Sequence, residues 1–98
     1  MVRYQLLLRF EGDTFEDFEE IVELETALVE RLGNLIVLDS HDVGSDECNI
    51  LVLTADPVRA FSAMGQVLER KQLLEAVVAS YRPVGGKDYT VIWPEDSG

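Results

Sequence analysis

The chain has one cysteine (Cys48), one histidine (His41) and three prolines in 98 residues. A lone cysteine excludes an internal disulfide and any zinc or iron–sulfur centre built from the thiolates of one chain. The segment Met1-Val2-Arg3-Tyr4-Gln5 has neither the cationic stretch nor the apolar run of a secretory signal. No apolar run approaches the roughly 20 residues of a membrane span. These absences lead to the expectation of a cytoplasmic protein with no membrane contact, no metal and no cofactor.

Positive charge is also scarce. Eight Lys and Arg stand against 19 Asp and Glu, for a net charge of −11. Residues 11–30 carry nine acids and no base: Glu11, Asp13, Glu16, Asp17, Glu19, Glu20, Glu23, Glu25 and Glu30. Affinity for nucleic acid is dominated by Lys and Arg neutralising phosphates, so a nucleic-acid partner is excluded. Acidity of this kind keeps a protein soluble. Packed into one segment, it also forms a steering surface for a basic partner.

What is present is an ordered change of hydrophobic period. With 47% hydrophobic residues the chain can bury one small core, which predicts a single α+β domain over 1–98. Val2, Tyr4, Leu6, Leu8 and Phe10 alternate with Arg3, Gln5, Leu7 and Arg9, which predicts a strand over 2–11 covered on one side. Thr14 followed by Asp17 reads as a helix cap, with a helix over 14–32 and a left-handed end at Gly33-Asn34. Strands over 35–42 and 47–54 flank a turn at Gly44-Ser45. Asp56-Pro57 starts a second helix, whose spacing runs through Phe61, Met64, Leu68, Leu74 and Tyr81 to predict 57–81. Such a helix would span about 37 Å against roughly 26 Å for an eight-residue strand, so a break near Arg70-Lys71-Gln72 is expected. A last strand covers 88–93.

The element order βαββαβ resembles the ferredoxin-like fold, which implies a four-stranded antiparallel sheet of order 4-1-3-2 with two helices on one face. The resemblance rests on element order over nearly the whole chain, and a fold this widespread implies little about function. Ferredoxins and heavy-metal carriers need cysteine pairs. RNA-recognition domains need aromatics on the central strands, where this chain offers Arg3, Gln5, Leu7 and Arg9. Acylphosphatase-like sites need an anion loop, where Glu11-Gly12-Asp13 is acidic. Gly12 alone is compatible with amino-acid-binding regulatory domains of the ACT type. The hairpin His41-Asp42-Val43-Gly44, then Asn49-Ile50, resembles that of small bacterial proteins and brings no chemistry with it.

Polar groups concentrate in that hairpin: Asp39, His41, Asp42, Ser45, Asp46 and Glu47. His41 is the only histidine, the residue type most often used as a general base. A general-base reading has Asp39 or Asp42 orient it, and Ser45 would complete a Ser-His-Asp set. As a calcium loop the segment fails, because the twelfth position is Ile50 rather than Glu. Glu25 falls near the centre of the apolar arc of the first helix (Phe15, Phe18, Ile21, Val22, Leu28, Val29, Leu32), which predicts a buried carboxylate in need of a partner. His41, Asp42 and Glu25 are thus the weak catalytic candidates.

Both faces of the hairpin are apolar at its base. Leu35, Val37, Ile50 and Val52 are expected on the face without helices and so form the predicted homodimer surface. The leading expectation is a non-catalytic binding or regulatory module, in one form an immunity-type protein neutralising a basic toxin. Its binding surface would comprise Asp39, His41, Asp42, Asp46 and Glu47 of the hairpin with Glu16, Glu20 and Glu23 of the helix. The alternative is a dimeric α+β-barrel-like small-molecule domain or enzyme, with His41, Asp39 and Arg9 lining a pocket on the sheet face.

Overall fold

A computed structural model describes residues 3–44 and 46–94. Its elements are β1 (Tyr4–Glu11), α1 (Phe18–Leu32), β2 (Val37–Val43), β3 (Glu47–Thr54), α2 (Pro57–Arg70), β4 (Val78–Pro83) and β5 (Thr90–Trp93). All strand pairs are antiparallel, and the sheet has five strands in the order β2-β3-β1-β4-β5. This corrects the expected four-stranded sheet of order 4-1-3-2. The strand beside β1 is Val78–Pro83, which the helical spacing had assigned to the second helix, and the last strand pairs outside it.

The cause lies at the end of α2. Gln72 takes a left-handed conformation, with φ of 61°. Its N–H bonds to the carbonyl of Glu69 at 3.0 Å, and the next N–H, of Leu73, bonds to the carbonyl of Leu68 at 2.8 Å. That pair of bonds is a Schellman stop, and the chain does not resume as helix. Glycine usually fills this position, so no residue type marks the stop, although the length argument places a break at Arg70-Lys71-Gln72, where α2 ends. The freed segment Val77-Val78-Ala79-Ser80 opens on two β-branched valines and continues with small residues, and it fills the open edge of β1.

Helix α1 also starts later than expected, because the cap is Asp17 rather than Thr14. The Asp17 side chain accepts from the Glu20 N–H at 3.1 Å, and the Glu20 carboxylate accepts from the Glu16 N–H at 2.9 Å. At the other end Gly33 stays right-handed (φ −51°), so the expected left-handed end does not form. Leu32 instead receives both the Leu35 and Ile36 N–H groups.

One core joins the sheet to both helices. From β1 it takes Leu6, Leu8 and Phe10, and from β3 Cys48, Ile50 and Val52. Ile21, Leu24 and Leu28 of α1 and Phe61, Met64 and Leu68 of α2 close over them. Phe15 packs edge-on against Phe10, and the Trp93 indole N–H is anchored on the Leu74 carbonyl at 2.8 Å. The Thr54 hydroxyl donates to the Leu35 carbonyl at 2.8 Å, which ties the end of β3 to the chain entering β2.

Gln72→Gly removes the left-handed strain of a residue with a Cβ, worth about 1–2 kcal/mol, and adds part of that back as backbone entropy. Urea denaturation should show a net gain of up to about 1 kcal/mol, with an unchanged far-ultraviolet spectrum.

Candidate functional site

The chemistry-bearing residues are sorted by a bulge in β2. Leu38 pairs with Val52, but Ser40 pairs with Leu51 and His41 with Ile50, so Asp39 is the extra residue. A bulge reverses which face the following side chains take. His41 therefore joins Ile50 on the helix-covered side, and Asp42 joins Asn49 on the open side. A regular hairpin turning at Gly44-Ser45 would pair Asp42 with Glu47, Ser40 with Asn49 and Leu38 with Leu51, none of which forms.

On the covered side His41 meets Glu25. Glu25 is 6% exposed, and its Oε2 lies 3.0 Å from His41 Nδ1. The helical phasing that placed Glu25 on the apolar arc agrees with this burial. The Phe18 ring stands edge-on to the imidazole, with centroids 5.2 Å apart. A neutral imidazole donating from Nδ1 holds its proton on that nitrogen and keeps Nε2 as acceptor. The pair links the outermost strand to α1 and gives the buried carboxylate a donor. Among the described residues, no buried side-chain polar atom lacks a partner.

The other hairpin candidates do not converge on His41. Asp42 is on the opposite face, Asp39 is exposed at the bulge and Asp46 is exposed beyond the strand. Ser45 lies outside the described residues. Glu47 pairs with Arg9 at 2.6 Å and accepts from Asn49 at 3.1 Å, both on the open face. Arg9 and His41 thus lie on opposite sides of the sheet, and the pocket expected from His41, Asp39 and Arg9 does not form. Burial pushes the Cys48 thiol above its ordinary value, with the Glu25 and Asp42 carboxylates adding to the shift, so it stays protonated at neutral pH. Among the described residues no cluster of three metal-ligating side chains occurs.

The expected homodimer face needs correction. Ile50 and Val52 are fully buried under the helices, and Leu35 is half-buried against the same core. Of the four, Val37 alone belongs to the open side, opposite Leu53. The open face is carried instead by Leu7, Leu51 and Leu53, with Gln5, Arg9, Ser80 and Arg82 around them. The slip was one of register, since moving a strand by one residue exchanges its faces. The alternation of the first strand had already placed Leu7 correctly.

Two groups of acids bear on the binding surface. On α1, Glu19, Glu23 and Glu30 are exposed, while Glu20 is half-buried as part of the helix cap. Glu16 precedes the helix, so Glu16 and Glu20 are not the helical like-charge pair their spacing suggests. The second group lines a cleft of about 790 Å³ at the end of the sheet, where Glu11, Asp13, Asp46, Glu47 and Glu75 face one another with Arg9. Glu75 was missed because its segment read as helix. Among the described residues no helix is long and apolar enough to cross a membrane. Compared with protein-family models, curated proteins and solved structures, the chain matches none of them.

Two outcomes follow from the covered side. His41→Ala strips the buried Glu25 of its donor and should cost about 1–3 kcal/mol, whereas Glu25→Gln keeps a hydrogen-bonding group there and should cost less. Urea titrations of the two variants give the order. Iodoacetamide should alkylate Cys48 only as fast as the protein unfolds, since the folded thiol is buried and protonated. The sign for stability is set by the raised value: the unfolded thiol releases its proton first, near 9.0, so stability falls as pH rises beyond that point.

Proposed function

We propose that the protein is a non-catalytic binding module whose acidic helix layer engages a basic protein partner. The observation that carries this reading is the lack of internal neutralisation. Among the described residues Arg9 with Glu47 is the one ion pair, and His41 is taken up by the buried Glu25, so the exposed acids of α1 pair with no base. Glu19 and Glu23 stand four residues apart on one helix, a like-charge spacing that costs about 0.2–0.5 kcal/mol. Solubility needs acids, but not in register on one helix. The cleft acids extend the same sign of potential from the β1–α1 connection to the hairpin. A basic toxin held by an immunity-type protein is one form such a partner takes.

The rival chemistry has weaker support. Glu25 and His41 engage each other, Cys48 holds its proton, and Asp42 faces away, so these groups act together as a structural tie rather than as a nucleophile with its base.

Affinity capture with the wild-type protein should return one stoichiometric basic protein. Reversing Glu19, Glu23 and Glu30 to Lys leaves the cap acids Asp17 and Glu20 in place and should change stability by under about 1 kcal/mol. The same variant should lose capture, and the wild-type association rate should fall steeply with added salt. Capture at full strength by the reversed variant, insensitive to salt, refutes the reading.

A further inference from the structure

A net charge of −11 on each copy opposes self-association, but the charge is not spread evenly. Arg3, Arg9 and Arg82 are three of only eight bases, and strand alternation puts all three on the open face of the sheet. The acids of α1 lie in the opposite layer. We propose that the open face packs against the same face of a second copy, about a two-fold axis in the plane between the sheets and perpendicular to the strands. This is independent of the basic-partner reading, which concerns the helix layer.

The face is self-complementary in that orientation. Leu7, Leu51 and Leu53 form its centre, on the middle strand and its neighbour. One end of the strands carries Arg3 and Arg82, the latter held by Gln5 at 2.8 Å and stacked on Tyr89. The other end carries Glu11 and Asp42, while Arg9 and Glu47 neutralise each other. The proposed axis lays β1 across its copy in the reverse direction, so Leu7 meets Leu7 and Arg3 meets Glu11. An axis along the strands would set Arg3 on Arg3 and Glu11 on Glu11.

Other occupants fit less well. A basic partner would meet arginines here, and joining two copies at the free edge of β2 would bring their acidic α1 helices side by side. Sheet against sheet leaves those helices on the outside, as far apart as two copies allow. Five strands at about 4.8 Å spacing and roughly 20 Å long give a face of about 480 Å² in projection, which protruding side chains enlarge towards the ~800 Å² per partner of a stable contact. Sheets packed this way lie about 10 Å apart with interdigitating side chains.

Sedimentation equilibrium of the purified protein at high micromolar concentration should show a dimer. Leu51→Lys should weaken association by about tenfold or more with an unchanged circular-dichroism spectrum. Arg3→Glu should weaken it several-fold, and adding Glu11→Arg should restore it, because the reversed charges again face each other. Val43→Lys, on the helix-covered side of β2, should leave the dimer intact. A wild-type monomer, a dimer indifferent to Leu51→Lys, or a charge exchange that fails to restore association each overturns the proposal.

Discussion

β1 runs down the middle of the sheet with β3 on one side and β4 on the other, so its period-two pattern divides the whole molecule into two faces. Leu6, Leu8 and Phe10 are sealed under the helices, at 0%, 0% and 1% exposure, while Gln5, Leu7 and Arg9 look the other way. Each neighbour inherits its phase through the register: Val52, Ile50 and Cys48 join the sealed side from β3, and Tyr81 and Ala79 from β4. Burying a Leu, Val or Phe side chain is worth about 1.5–3 kcal/mol, so a one-residue slip against β1 would expose Ile50 and Val52 and turn Asn49 or, from β4, Ser80 inward. That constraint fixes which residues remain for binding.

The bulge at Asp39 extends the same division to the outermost strand. It brings His41 to the covered side, where Glu25 receives it, and sends Asp42 to the open side. A carboxylate buried in an apolar arc costs several kcal/mol unless it is paired. The only histidine in the chain meets that need, reaching Glu25 of α1 from a strand that is exposed along its length. The polar hairpin that reads as a catalytic cluster is therefore split between two faces by one inserted residue.

The parts of this arrangement that follow local rules were legible in the sequence. β3 was placed at 47–54, where it is observed, and Asp56-Pro57 marked the start of α2, where Asp56 accepts from the Arg59 N–H. The periodicity of α1 put Glu25 towards the core. What escaped depended on non-local pairing or on an unusual residue in a familiar role. Gln72 stops a helix in a conformation that glycine usually supplies, which hid β4 and the fifth strand. The bulge at Asp39 has no marker in composition, so the register of the hairpin slipped and Ile50 and Val52 were assigned to the wrong face. Asp17, not Thr14, caps α1, because both have a suitable oxygen and only the three-dimensional path chooses between them.

Two surfaces of different character result: an acidic helix layer with few internal partners, and an apolar sheet face edged by arginines at one end and carboxylates at the other. On the two proposals these surfaces serve different contacts. Methyl-resolved NMR with a soluble paramagnetic agent tests this division most directly, on the wild-type protein without any partner at high concentration. This division predicts that the methyls of Val37 and Val78, exposed on the open face of a single copy, are shielded from the agent along with those of Leu7, Leu51 and Leu53, while those of Val22 and Val29 on α1 remain accessible. Shielded α1 methyls together with accessible sheet methyls would contradict it.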